Sequence, residues 1–300
     1  MGSWLRALAS IVLTASACAA HADALRFCQP QAELSASQQD KLFRFGALIK
    51  AELDGSGQGV ALIARSGLDL ARFDVRYSHA GLSLKASENA PWSVRQLYYA
   101  CDEQKPRLYD QGIAGFVLGL DAAAPGYVSI VLLPAAEAVQ LEHVALDKRQ
   151  ALQLLATSYS ANAYPFSQRY QNCNQWVVEM LAAALGAADD ADNPRREAQR
   201  WLSEQGYAPS VFALDSRPLM WAGAFIPWLH SDDHPPADIE QLKFRVSMPA
   251  SIEAFVHSAL PGARRIELCH DAHRVVIHRG WEPIAEGCLP GAQDQVIELD

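Results

Sequence analysis

A surplus of positive charge is what this chain most clearly lacks: 25 Lys and Arg stand against 34 Asp and Glu, a net charge of −9. Nucleic acid and anionic lipid are both recognised by basic residues, so neither fits as a partner. There is no Cys-x-x-Cys pair, which removes the common dithiol redox motif. There is no His-Glu-x-x-His helix for zinc. The glycine run Gly55-Ser-Gly-Gln-Gly59 lacks a Gly-Lys-Ser/Thr ending and follows a helical stretch, so it does not cradle phosphate. No stretch past the first residues approaches the roughly 18 consecutive apolar residues of a membrane span, so no stable span is expected. Internal repeats and low-complexity segments are missing too, and no cofactor is implied.

What is present begins with Arg6, the apolar run Ala7 to Ala20 and the small-residue sites Ala20-His-Ala22 and Ala22-Asp-Ala24. This reads as a signal peptide over residues 1–22 that directs the chain to the periplasm or outside the cell. Lipidation at Cys18 is the weaker alternative, because Ala15 stands where such a motif usually carries leucine. The remainder draws on a composition that is 50% hydrophobic, enough for one large domain with a small appendage. The division expected is a main domain over 23–220 and a small α+β extension over 221–300.

Of six cysteines, Cys18 leaves with the leader, so Cys28, Cys101, Cys173, Cys269 and Cys288 remain. In an oxidising compartment an odd count leaves a free thiol. Cys269 and Cys288 flank a strand-like stretch, and Cys28 and Cys101 are placed to tie the N-terminus to a strand end. On that pairing the spare thiol is Cys173, though other pairings stay open.

The pattern is α+β. Ser35 and Gln38 form a capping box for a helix to Leu53. Strands are predicted at Val60–Arg65, Arg72–Lys85, Trp92–Ala100, Gly115–Leu118 and Gly126–Leu133. Asp147 opens a helix to about Ser160, and a second helix starts near Cys173 and stops at Gly186. Asn193-Pro194 opens another to about Glu204, after an acidic linker at Ala187 to Asn193. Beyond Phe225 the order is strand (Leu242–Ser247), helix (Ala250–Ala259), strand (Arg264–Cys269) and strand (Arg274–Arg279).

The chemistry concentrates at Cys173. Asn172 reads as its N-cap and Gln175 as the far half of a capping box, so Cys173 takes the first helical position. The free amides and positive dipole end there favour a thiolate and predict a lowered thiol pKa. His79 lies on a strand beside Ala80-Gly81, small neighbours that admit close approach. A hairpin turning near Glu88-Asn89 places Tyr98 opposite His79 and Gln96 as a same-face neighbour, so Gln96 or Tyr98 orients the imidazole. Gln168, Gln171, Asn172 and Asn174 are amides near the nucleophile, with the Cys173 backbone amide the safest oxyanion donor. His230-Ser-Asp-Asp-His234 has metal-ligand residue types but reads as a solvated loop, and His270, His273 and His278 read as surface residues, so no metal site is assigned.

Strand-borne His-Ala-Gly-Leu followed by Asn-Cys-Asn-Gln-Trp-Val at a helix start resembles the circularly permuted papain-like superfamily. That group includes the permuted relatives of NlpC-type cell-wall peptidases and the lecithin:retinol acyltransferase-like enzymes. The chain also resembles an exported bacterial family known as a domain of unknown function (2145). The superfamily likeness covers about Val60 to Leu185. It implies an antiparallel sheet packed on helices, Cys173 as nucleophile, His79 as general base and a polar strand residue as third member. The Trp92–Ala100 strand departs from the commoner pattern, with neither a second histidine nor a carboxylate. The activity implied is hydrolysis or acyl transfer on an amide or ester through a thioester, with a cell-wall peptide or lipid-like substrate. A catalytically silent module that holds a peptide or partner is the alternative.

Overall fold

A computed structural model of the chain describes residues 28, 34–120, 125–186, 192–271 and 273–299. The segment expected to be a leader, with Cys18, and most of the acidic linker lie outside the described residues. The architecture is mixed α+β, with nine α-helices among the described residues and an open antiparallel sheet of eight strands. The sheet order is β10-β9-β8-β5-β1-β2-β3-β4. Its strands are β1 (Val60–Arg65), β2 (His79–Leu84), β3 (Ser93–Ala100), β4 (Lys105–Gln111), β5 (Gly126–Leu132), β8 (Arg264–His270), β9 (Arg274–Arg279) and β10 (Gln295–Glu298). A separate two-stranded ribbon pairs β6 (Ser210–Ala213) with β7 (Lys243–Val246).

One sheet face is covered by α1 (Ala36–Gly55) and α2 (Ile113–Val117). Leu42, Phe45, Ile49 and Leu53 pack there with Phe116, Val117, Ile63, Val94, Val128 and Ile130 in the main core. The expected Ser35–Gln38 capping box starts α1. Over the other face lie α3 (Ala135–Leu146), the short α4 (Lys148–Gln153), α5 (Cys173–Leu185), α6 (Pro194–Glu204) and α9 (Pro249–Ala259). There Val177 and Ile252 meet Leu62, Ala64 and Ala80. The short helices α7 (Arg217–Gly223) and α8 (Pro236–Glu240) accompany the ribbon.

Several expectations need correction. The strand expected from Arg72 begins only at His79, because Ala71–Phe73 is a 3-10 turn closed by Asp74 in the left-handed conformation. Residues 115–118 are helical rather than extended: Ile113, Phe116 and Val117 have the i, i+3, i+4 spacing of one helix face and are buried against α1. The helix that Asp147 caps ends near Leu154, short of the expected Ser160. The segment 221–300 does not build a sheet of its own: β8 pairs along its full length with β5, so β8 to β10 continue the central sheet. The periodicity of residues 264–279 was clear, but strand partnership is a long-range property that periodicity does not carry.

The helix that Cys173 opens is anchored by a buried carboxylate. Glu179 is 0% exposed and accepts from Gln171 Nε2 at 2.5 Å, Gln175 Nε2 at 2.9 Å, Gln199 Nε2 at 2.7 Å and Arg195 Nε at 3.0 Å. Arg195 also donates to the Gln168 and Tyr170 carbonyls. Gly186 ends α5 where a side chain would run into the Trp201 indole, so glycine lets α6 close against it. Truncating one member of a buried ion pair leaves the other charge uncompensated. Arg195→Ala is therefore expected to lower unfolding free energy by about 3–5 kcal/mol in urea titration. Arg200→Ala, which removes exposed pairs to Glu197 and Glu204 on the same helix, is expected to cost less than about 1 kcal/mol.

Candidate active site

Cys173 opens α5 and is a free cysteine, 7% exposed. Cys269 and Cys288 form a disulfide, and Cys28 and Cys101 are each disulfide-bonded. Asn172 caps the helix by accepting from Gln175 N at 2.7 Å. The reciprocal half of the expected capping box is not made, because the Gln175 side chain turns inward to the Pro165 carbonyl and Glu179.

The backbone amides of Asn174, Ala80 and Cys173 itself approach the sulfur and favour its anion. Ala80 follows His79 on β2, so the helix start and the histidine strand meet at one end of the sheet. Asn174 Nδ2 reinforces the junction by donating to the Ser78 carbonyl at 3.3 Å.

His79 is 9% exposed, on the α2 side of the sheet. Its Nε2 lies 2.8 Å from Gln96 Oε1. Gln96 Nε2 donates in turn to Gln111 Oε1 at 2.8 Å, which fixes the amide so that its carbonyl oxygen faces the ring. A carbonyl only accepts, so Nε2 carries the proton and Nδ1 holds the free lone pair. The observed β2–β3 register (Leu82 opposite Arg95, Leu84 opposite Ser93) brings Tyr98 across from His79, and their ring centroids are 4.9 Å apart. Of the two candidates for orienting the imidazole, Gln96 makes the hydrogen bond and Tyr98 stacks. Gly81 permits this, since a Cβ there would press on Val94 Cγ1 at 2.5 Å and the Arg95 carbonyl at 3.0 Å.

The candidate oxyanion side chains are already committed. Gln171 accepts from Ala156 N and donates to the Leu154 carbonyl and Glu179. Asn172 spends its amide on the Ala161 and Ser247 carbonyls. Both act as scaffold, and the backbone amides at the sulfur are the free-standing donors. The metal-like loop is likewise structural: His234 is buried with Nε2 2.7 Å from the Asn162 carbonyl oxygen, and the His230 ring stacks on Tyr170. His270, expected at the surface, is buried against Phe45, while His278 pairs with Asp294 at 2.6 Å.

Electrostatics reverse the expectation for the thiol. Burial pushes Cys173 up to about 11, against the pull of the three amides and the nearby Arg65. Burial and Arg65 push His79 down to about 3, against the bond to Gln96. Both the thiol and the imidazole are thus neutral at rest. Arg65 was invisible in sequence as a site residue. It stands directly opposite His79 in the β1–β2 pairing and donates to the Tyr98 hydroxyl at 3.1 Å. A small recess next to Ala80, with a volume of only about 10 Å³, is lined by Leu62, Ala64, Val177, Ser129 and Glu253 among others.

The fold and site together define a mixed α+β protein with a buried free thiol at a helix start, set against the strand that carries His79. The chain belongs to the family described as "Uncharacterized protein conserved in bacteria (DUF2145)", whose model matches residues 52–256. No curated protein and no solved structure matches it.

Two predictions come from this geometry. The unfolded chain protonates His79 below about 6.5, whereas the folded chain refuses that proton until about 3. The stability tied to His79 is therefore full above pH 6.5 and drains as pH falls toward 3, by up to about 1.4 kcal/mol per unit. His79→Asn is expected to flatten the acid limb of a plot of unfolding free energy against pH, leaving the residual slope to His270, which is pushed down to about 4. Gly81→Ala is expected to cost about 1–3 kcal/mol by forcing β3 outward, and to weaken the His79–Gln96 bond seen in the ring's NMR shifts.

Proposed function

We propose that the protein is a cysteine hydrolase or acyltransferase that attacks an amide or ester carbonyl, with Cys173 as nucleophile, His79 as base and Gln96 as the group that orients it. The observation that carries this reading is a free thiol at a helix start next to the Ala80 amide, one residue along β2 from a histidine whose tautomer Gln96 fixes. The sulfur bonds to the carbonyl carbon while His79 Nδ1 takes the thiol proton. The carbonyl oxygen becomes an oxyanion, and the amides of Cys173 and Asn174 are the donors nearest to it. His79 then gives the proton to the leaving nitrogen or oxygen as its bond to carbon breaks, and a thioester remains. Water, deprotonated by His79, or an acceptor group resolves the thioester and returns the thiol.

The order of histidine before cysteine supports a permuted papain-like arrangement, and a cell-wall peptide or lipid-like acyl compound is the substrate class in keeping with it. The disulfides suit an oxidising compartment, in keeping with a periplasmic or secreted protein made with a signal peptide. Among the described residues no helix is long and apolar enough to cross a membrane.

A second reading, a silent module that holds a peptide or partner, is favoured by the depth of burial and the neutral resting pair. Alkylation by a chloroacetamide separates the two. If His79 serves as base, Cys173 is labelled near pH 7 at least tenfold faster than in His79→Ala, and labelling disappears in Cys173→Ala. Identical rates in wild type and His79→Ala, rising only toward pH 11, would sink the enzyme reading and leave the silent module.

A further inference from the structure

Four arginines are buried in the described fold: Arg65, Arg95, Arg195 and Arg265. Three of them face carboxylates: Arg95 meets Asp110 at 2.6 Å, Arg195 meets Glu179 at 3.0 Å and Arg265 meets Glu253 at 2.8 Å. Arg65, 7% exposed, has no carboxylate partner among the described residues. Its guanidinium is met by the Gly119 carbonyl at 2.5 Å, the Ser66 carbonyl at 3.2 Å, the Tyr98 hydroxyl at 3.1 Å and the Phe116 ring at 5.4 Å. Its Nε is buried with no partner at all. Neutral dipoles offset only part of a buried charge, so this cation lacks the counter-charge the other three possess.

The position is built for it. A Cβ at Gly67 or at Gly119 would run into the guanidinium, so two glycines clear its place. Arg65 lies directly across the β1–β2 pair from His79, with Tyr98 bridging the guanidinium and the imidazole ring. Cys173 and His79 both feel its field.

We propose that Arg65 is the receptor for a carboxylate on the substrate, placed next to the carbonyl that Cys173 attacks. The inference deepens the thiol reading and rests on it. It names the substrate class as an acyl compound with a free carboxylate near the scissile bond, as at the C-terminal end of a peptide, and it disfavours a neutral lipid ester. Guanidinium and carboxylate pair through two parallel hydrogen bonds, which fixes orientation as well as charge. Binding would also screen the Arg65 field at His79, so the imidazole becomes a better base once substrate is present.

The test compares iodoacetate with iodoacetamide at pH 8. In each case the sulfur–carbon bond forms as iodide leaves, and only the first reagent carries a carboxylate. With each rate on Cys173 normalised to that on glutathione, wild type is expected to prefer iodoacetate by at least fivefold. Arg65→Gln is expected to lose the preference, and Arg65→Lys to keep most of it. Equal normalised rates in wild type, or an Arg65→Gln variant that slows both reagents by the same factor, overturn the proposal. A second measurement does not need the thiol. In Cys173→Ala, N-acetylalanine is expected to raise Tm in a concentration-dependent way that N-acetylalaninamide does not reproduce and that Arg65→Gln removes. No such difference overturns carboxylate recognition. A thiol inert to both alkylating reagents instead counts against the nucleophile reading, while the Tm experiment still decides the role of Arg65.

Discussion

The arrangement around Cys173 depends on one buried carboxylate. Glu179 collects donors from the loop before α5 (Gln171), from α5 itself (Gln175) and from α6 (Arg195 and Gln199). Through Arg195 it also holds the carbonyls of Gln168 and Tyr170, the segment that delivers the chain to Asn172. If that loop shifts, the Asn172 cap shifts with it, and the sulfur leaves the Ala80 amide. Ion pairs this deep return little net stability compared with a well-packed apolar core. What Glu179 supplies is placement, because one carboxylate with that many specific donors is satisfied in a single arrangement of three segments.

The same burial explains why the local rule for the thiol fails. A helix start favours an anion through its free amides and its dipole, and those amides do reach the sulfur. Desolvation acts in the opposite sense and is the larger effect for Cys173, as it is for His79. Helix position is written in the sequence, whereas solvent access depends on how distant segments of the chain close around the sulfur. A site of this kind stays protonated at rest.

Legibility followed the range of the interactions. The His79–Gln96–Tyr98 relation was readable because a short hairpin sets the register, and the register places same-face neighbours two residues apart. The Asn172 cap and the stop at Gly186 were readable because caps are local. Gln171 and Asn172 were readable as polar groups near the nucleophile but not as scaffold. Their partners at Leu154, Ala161 and Ser247 come from segments joined only in the fold. Arg65 ends a strand that otherwise reads as apolar and β-forming, and nothing local marks it as a lone buried cation. β4 (Lys105–Gln111) escaped for a related reason: as an edge strand rich in polar residues it lacks the apolar run that announces a strand.

The C-terminal strands bear on the site although the family match ends at residue 256. Glu267 on β8 is buried and accepts from Arg76 at 2.9 Å and from Ile284 N at 2.7 Å, and Tyr77 and Arg265 complete the cluster. Arg76 also donates to the Ile284 carbonyl at 2.7 Å. Arg76 and Tyr77 are the residues that lead into His79, so the approach to the histidine is tied to the segment between Cys269 and Cys288. The disulfide closes that segment, and the Tyr127 hydroxyl, accepting from Cys288 N at 3.1 Å, pins it to β5. Two buried carboxylates therefore divide the work: Glu179 fixes the cysteine side of the site and Glu267 the histidine side. The two sides meet at the Ala80 amide, where a small displacement of either one would part the sulfur from the strand that carries His79.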